Sequence, residues 1–285
     1  MTVLGIGTAN GGISILHALG LGKGCSVGVD LLTTVSLLDE PSTVEEDDHG
    51  LLDAVLACWR SAKLPSASVC GWSVESELPV GQGLKSSSSV ACAALRALNE
   101  SAWAGLSDNE IADLAVAAQR RAKCTLTGSM DDVWAALCPG WKLVDPVRTA
   151  SESVLLEGEL EQGLTVLLGL RGERKSTVEL GSFNQHHQIF ERALASLASG
   201  SPLEALSANG MAVAAATDDF EALRICNLCI ATGAIAAGIS GSGPAIAVVC
   251  YPQDSQTLFS NLSDSGLEVI PTRFVTSETI SEEVF

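Results

Sequence analysis

Hydrophobic and polar positions along this chain follow two periods, which predict a mixture of strands and helices. Residues 25–38 and 67–78 show the two-residue alternation of half-buried strands. Apolar residues recur with the helical period over 51–62 and 88–102, and a Ser-x-x-Glu capping box predicts a further helix over 107–122. The first half is therefore predicted to be strand-rich and then helical.

The second half has its own order of elements. Its pattern predicts strands at 143–148, 164–170, 245–250 and 267–275, and helices at 184–199, 203–215, 218–230 and 253–265. A polar, acidic stretch at 149–162 predicts a boundary between two lobes, 1–150 and 151–285. Strands and helices that are partly segregated in this way favour an α+β fold over an alternating α/β fold.

The segment Pro-Val-Gly-Gln-Gly-Leu-Lys-Ser-Ser-Ser-Ser, residues 79–89, joins a predicted strand to a predicted helix; we call it the glycine–serine loop. Glycines let a backbone approach a ligand closely, and the first amides of a helix attract anions. Lys85 adds a positive charge. The spacing differs from that of a Walker loop. The loop is therefore a candidate phosphate site, and a surface turn that caps the helix is the alternative.

Two adjacent acids, Asp131 and Asp132, stand near the start of another predicted helix, over 133–137. An aspartate that neighbouring groups hold in place can accept a proton from a reacting hydroxyl. Helix capping is the alternative, and it explains one aspartate but not both.

Composition narrows the function classes. The 285 residues carry a formal net charge of −18, which argues against a nucleic-acid or anionic-membrane surface. The nine cysteines lack metal-ligand spacing and predict buried, reduced thiols. No signal-peptide pattern and no uninterrupted membrane-length apolar run is seen, so we expect a cytoplasmic protein.

Four segments together resemble the GHMP kinase superfamily. They are the glycine-bearing stretches 5–30, 79–89 and 238–245, and the Thr-Gly-Ser-Met-Asp-Asp motif at 127–132. Lys85 stands where the superfamily usually has glycine, and the form Gly-Leu-Lys-Ser-Ser-Ser is similar to the archaeal-type shikimate kinase branch.

This resemblance implies an N-terminal lobe of the ribosomal S5 domain 2-like type and a C-terminal ferredoxin-like lobe. It also implies ATP and Mg²⁺ as cofactors and transfer of a phosphoryl group to shikimate, toward chorismate and the aromatic amino acids. Another small acceptor, such as homoserine or pantoate, and a non-catalytic nucleotide-binding protein are the alternatives. The oligomeric state stays open.

The resemblance also implies roles for individual residues. Asp131 is the expected base and Lys85 a second catalytic group, with Ser87 and Asp132 as the expected magnesium ligands. The expected nucleotide-binding residues are Pro79, Gly81, Gly83, Leu84, Lys85, Ser86, Ser87, Ser88 and Ser89. With shikimate as the acceptor, its carboxylate needs a basic partner and its hydroxyls need polar ones. A solvated loop is the alternative for the basic residues of 171–175. The candidate acceptor-binding residues are Thr8, Asn10, Asp30, Arg171, Arg174, Gly241 and Ser242.

The chain departs from the superfamily pattern at two places. Several members carry a lysine about where Asn10 falls, and a glutamate magnesium ligand near the positions of Gln119 and Arg120. We expect Lys85 to replace the missing lysine, and water to fill more of the magnesium shell.

Overall fold

The computed structural model describes residues 1–44, 47, 49–66, 70–172 and 180–277. Its strands are β1 Val3–Leu16, β2 Gly24–Leu38, β3 Gly71–Ser76, β4 Trp141–Val144, β5 Val154–Gly158, β6 Thr165–Leu170, β7 Ala236–Ile239, β8 Ile246–Cys250 and β9 Glu268–Thr272. The helices of the first half are α1 Ala18–Leu21, α2 Leu51–Ser61, α3 Ser86–Ala102, α4 Asp108–Ala122, α5 Met130–Leu137 and α6 Ala150–Ser153. Those of the second half are α7 Leu180–Gln185, α8 His187–Ala198, α9 Pro202–Ala216, α10 Phe220–Ala231 and α11 Ser255–Asp264.

Two antiparallel sheets organise these elements. In the first sheet the order is β1-β2-β4-β5, and β3 pairs with the far half of β2. In the second sheet the order is β7-β8-β6-β9. The mixture of antiparallel sheets and packed helices agrees with the predicted α+β class.

The first sheet contains strand β5, which falls inside the polar stretch predicted as the lobe boundary. β5 pairs with β4 through Leu156 and Leu143, so the first sheet continues to Gly158 and the second begins at Thr165. The side chains in the middle of β5 are exposed, which explains why its sequence pattern resembled a linker. The boundary at residue 150 stays a prediction.

Strand β1 runs through several glycines, and two of them lie directly against helix α3. A Cβ on Gly7 would lie 2.1 Å from the Ala93 carbonyl oxygen, and one on Gly5 would lie 2.4 Å from that of Ala97. Glycine therefore allows helix α3 to pack directly on the β1 backbone. This contact sets where the N-terminus of α3 points.

The two halves of the chain share one buried core. Ile13 and Val27 of the first sheet belong to the same apolar cluster as Leu167 and Val248 of the second. The segment after β9 also returns to β2, where Val275 donates its N–H to the Gly28 carbonyl. These contacts hold the two sheets in a fixed position relative to each other.

No helix in the described part of the chain is long and apolar enough to cross a membrane. Part of the predicted strand at 67–78 and the predicted acceptor residue Arg174 lie outside the described residues.

Candidate active site

The glycine–serine loop leads into helix α3 through three residues with left-handed backbone. Gly81, Gly83 and Lys85 have φ values of 75°, 79° and 69°. This region is open to glycine and costs a residue with a Cβ about 1–2 kcal/mol. Lys85 is therefore a strained N-cap. Contacts elsewhere in the fold must offset the cost of this backbone conformation.

Those contacts are a hydroxyl and a carboxylate. Lys85 Nζ lies 2.6 Å from Ser14 Oγ on β1 and 2.7 Å from Asp132 Oδ1 on α5. The lysine side chain is only 8% exposed. The ion pair fixes the positive charge beside the N-terminus of α3.

Helix α5 starts earlier than predicted, at Met130, so both aspartates lie in its first turn. Ser26 on β2 stands opposite, and its hydroxyl oxygen is 2.9 Å from Asp131 Oδ2 and 2.9 Å from Asp132 Oδ1. Gly24 keeps this space open, because a Cβ there would lie 2.6 Å from the Asp131 carboxyl group. The pair of acids is therefore held by β2.

Asp131 is buried, and its pKa is raised to about 7. Burial is the main cause, and the neighbouring Asp132 carboxylate raises the pKa further. Lys85 and the Ser26 hydroxyl oppose the shift. A carboxyl group that titrates near neutral pH suits a general base.

The remaining side of the site comes from the third glycine-bearing segment, residues 238–245. Ser240 Oγ donates to the Gly83 carbonyl oxygen at 2.8 Å and accepts the Ser14 N–H at 3.3 Å. One hydroxyl thus joins the glycine–serine loop to both the second sheet and β1.

These elements enclose a cavity of about 290 Å³. Asp131, Asp132 and Lys85 line it, as do most of the loop residues predicted to bind phosphate. It is lined by Ser14, His17, Ala18, His49, Val80, Gly81, Gly83, Lys85, Ser86, Ser87, Cys124, Thr125, Leu126, Thr127, Ser129, Asp131, Asp132, Gly241 and Ser242. We call it the central cavity.

A smaller, mainly apolar pocket of about 220 Å³ adjoins the central cavity and shares His49, Val80, Ser86, Ser87 and Cys124 with it. Its other lining residues include Val44, Leu52, Val74 and Val90. An apolar planar group could therefore lie beside the helix N-terminus while a charged tail reaches the loop amides.

The other predicted loop residues lie behind the cavity wall. Leu84 is buried, and Ser88 and Ser89 donate their hydroxyl protons to Gln119 Oε1 and to the Ala9 carbonyl. Pro79 lines a larger cavity of about 960 Å³, which shares Ser242 with the central cavity.

The predicted acceptor-binding residues fall in different places. Gly241 and Ser242 line the central cavity, whereas Arg171 forms an ion pair with Asp219 in the larger cavity. Asp30 pairs with Arg273 at 2.8 Å.

Thr8 and Asn10 lie on β1 and are absent from the central cavity's lining residues given above. The sequence patterns did not single out Ser14 or Ser26, and they named Gln119 only as a position near which the superfamily's glutamate is missing. All three are polar residues at buried positions, and this is the one feature that could have pointed to them.

An anionic, magnesium-bound ligand fits the donors that this cavity offers. The first amides of α3 and Lys85 suit phosphate, and Ser87 and Asp132 offer oxygen atoms to a hard cation. Among the described residues no three acidic, histidine or cysteine side chains form a metal-binding group. A cation here would keep several waters, as Mg²⁺ commonly does beside phosphates.

One cavity thus brings together the N-terminus of α3, the ammonium group of Lys85 and the buried carboxyl group of Asp131, an arrangement that suits phosphoryl transfer. Two family models match the chain: GHMP kinases N terminal domain over residues 51–140, and GHMP kinases C terminal over 193–266. The chain belongs to the GHMP kinase family, and it is a kinase.

Sequence relatives and solved structures agree with this family. The shikimate kinase of Thermococcus kodakarensis is 29% identical over 87% of this chain and 93% of its own length. That of Pyrococcus abyssi is 29% identical, covering 91% of this chain and 97% of its own length.

The Methanococcus jannaschii mevalonate kinase structure matches with a TM-score of 0.70 at 12% identity, over 95% of this chain and 98% of that one. Another solved structure, in complex with AMPPCP and magnesium, matches with a TM-score of 0.68 at 14% identity, over 95% of this chain and 97% of that one. At these identities the likeness shows the fold, and the predicted GHMP kinase fold is confirmed.

Proposed function

We propose that this kinase transfers the γ-phosphoryl group of ATP to the 3-hydroxyl of shikimate and forms 3-phosphoshikimate. The supporting observation is the placement of Asp131, a buried carboxyl group with a pKa near 7, in the same cavity as the glycine–serine loop. The two relatives named above, shikimate kinases that match nearly full length, support shikimate as the acceptor.

The nucleotide would occupy two adjoining spaces. The adenine would enter the apolar pocket beside Val74 and Val90, and the phosphates would lie on the first amides of α3. Lys85, anchored by Asp132, would face the transferring group as a fixed positive charge. Phosphoryl transfer depends chiefly on such positioning and charge neutralisation.

Ser87 and Asp132 would hold magnesium, which neutralises charge on the phosphates when bound. The protein would supply few ligands, because Asp132 already pairs with Lys85. The fold relative that holds AMPPCP and magnesium supports this pair of cofactors.

Asp131 would take the proton from the acceptor hydroxyl as that oxygen attacks the γ-phosphorus. Ser26 fixes the carboxyl group through its hydroxyl, and Gly24 leaves room for it. Ser242 and Gly241 would contact the acceptor or the phosphates from the second lobe. Arg171, Arg174, Thr8, Asn10 and Asp30 stay predicted acceptor contacts.

A coupled assay of ADP release tests this proposal with shikimate, homoserine, mevalonate and pantoate as separate acceptors. We expect magnesium-dependent turnover with shikimate and at least about 100-fold slower turnover by Asp131→Asn. Turnover with only homoserine or only pantoate would show that shikimate is not the acceptor. Nucleotide binding without turnover on any acceptor would favour a non-catalytic protein.

A further inference from the structure

The buried amide of Gln119 contacts the glycine–serine loop from behind. Gln119 lies in the last turn of α4 and is fully buried. Its Oε1 accepts hydrogen bonds from Ser87 Oγ at 3.3 Å and from Ser88 Oγ at 3.0 Å. Two successive hydroxyls at the start of α3 therefore share one acceptor.

The other end of this amide is not satisfied. Gln119 Nε2 is buried and has no hydrogen-bond partner among the described residues. A buried donor without a partner lowers stability. The amide therefore serves the two serine hydroxyls through its oxygen, while its own donor stays unpaired within the described part of the chain.

The direction of the Ser87 hydrogen bond gives the amide a function. A hydroxyl has one proton and two lone pairs, and a cation binds only the lone pairs. When the Ser87 proton goes to Gln119, the lone pairs are left for the central cavity, which Ser87 lines. Ser88 is fully buried and anchors the same amide oxygen.

We propose that Gln119 is a positioning residue that orients the Ser87 hydroxyl for the magnesium–nucleotide complex. This inference rests on the proposed function, because it takes magnesium and ATP as the ligands of the central cavity. Gln119 touches neither ligand and acts through Ser87. It therefore affects the magnesium-dependent part of nucleotide binding and leaves the magnesium-independent part unchanged.

Isothermal titration with AMPPCP, once in excess MgCl₂ and once in EDTA, measures the two parts separately. For Gln119→Met we expect the gain in affinity from magnesium to fall by about tenfold or more, the effect typical of lost outer-shell partners. Affinity in EDTA should stay at the wild-type value. Gln256→Met, the same change at an exposed site on α11, is the matched control.

A double-mutant cycle with Ser87→Ala tests whether Gln119 acts through that serine. If it does, Ser87→Ala loses at least as much of the magnesium effect as Gln119→Met, and the double variant loses no more than Ser87→Ala. Independent, multiplying losses would overturn the inference. So would an unchanged magnesium effect in Gln119→Met, provided that the wild-type protein shows one.

Gln119→Glu gives a second reading that does not depend on the methionine variant folding. Glutamate keeps an acceptor for both hydroxyls and adds a carboxylate where superfamily members have a magnesium ligand, so its magnesium effect should equal or exceed that of the wild type. A loss as large as that of Ser87→Ala would contradict the inference. If the wild-type protein binds no AMPPCP in either buffer, the proposed function itself fails.

Discussion

At the scale of single residues, the site depends on a few buried charges that hold one another in place. Asp131 is next to Asp132, Asp132 pairs with Lys85, and Ser26 touches both carboxyl groups. Burial raises the pKa of the Cys25 thiol, and the nearby Asp131 charge raises it further. Changing any one of these charges alters the proton affinity of the base.

The first prediction concerns pH. The base must be ionised to accept a proton, so kcat/KM for shikimate should rise with pH and level off above about 7, where Asp131 titrates. If the activity stays constant from about pH 5.5 to 8, Asp131 is not the base. A pH series with saturating magnesium and ATP measures this, and Asp131→Asn should lose the titration.

The same pKa has a consequence for stability. Folding raises the pKa of Asp131 above its ordinary value of 3.8, so between those values the folded state binds more protons than the unfolded state. Stability contributed by this group therefore falls as pH rises through that window. Asp131→Asn should raise the unfolding temperature near pH 8 and change it much less near pH 4.

The second prediction separates the backbone of Lys85 from its side chain. Lys85→Gly and Lys85→Ala both remove the charge, and both should lose most activity while still binding nucleotide. Because φ is 69° at this position, the glycine variant should be more stable than the alanine variant by about 1 kcal/mol. Urea unfolding compares the two, and full activity in Lys85→Ala would contradict the proposed role.

At the scale of elements, the glycine–serine loop is shaped by contacts with distant segments. The Gly12 N–H donates to the Leu84 carbonyl, and the Ala245 N–H donates to the Gln82 carbonyl. Ser240 adds its hydroxyl bond to Gly83. The loop is thus held from β1 on one side and from the second sheet on the other.

The third prediction compares two glycines of this loop. Both have positive φ, but a Cβ on Gly83 would lie 2.4 Å from the Ser240 carbonyl oxygen, whereas one on Gly81 has open space. Gly83→Ala should therefore lower both stability and nucleotide affinity more than Gly81→Ala. Equal losses in calorimetry and titration would show that backbone strain alone matters there.

At the scale of the whole molecule, acidic residues outnumber basic ones, 34 to 16. Substrates of the proposed reaction are anions as well. Within the central cavity, Lys85 and the N-terminus of α3 favour an anion locally, although the chain as a whole is negative. A net charge of this size keeps a protein soluble. Repulsion between the like charges also destabilises the folded state.

The fourth prediction follows from that repulsion. Added salt screens surface charges, so about 0.5 M KCl should raise the unfolding temperature at pH 7. The increase should shrink near pH 5, closer to the sequence pI of about 4.4. An increase of the same size at both pH values would point to a salt effect unrelated to net charge.

The sequence by itself determined the parts of this protein that depend on local rules. Glycines at 81 and 83, the serine run and the helical period after it predicted a loop that ends in a helix N-terminus. The capping box at Ser107 formed as predicted. Such features depend on residues within a few positions of one another, so short-range patterns contain them.

Only the tertiary structure decided which distant residues meet at the site. Ser14, Ser26 and Gln119 reach Lys85, Asp131 and Ser87 because strand register and helix packing place them there. The same packing places Asp30 in an ion pair with Arg273, and Arg171 in one with Asp219. A polar residue at a buried position has no local signature of its partner, since the partner is set by contacts between segments far apart in the chain.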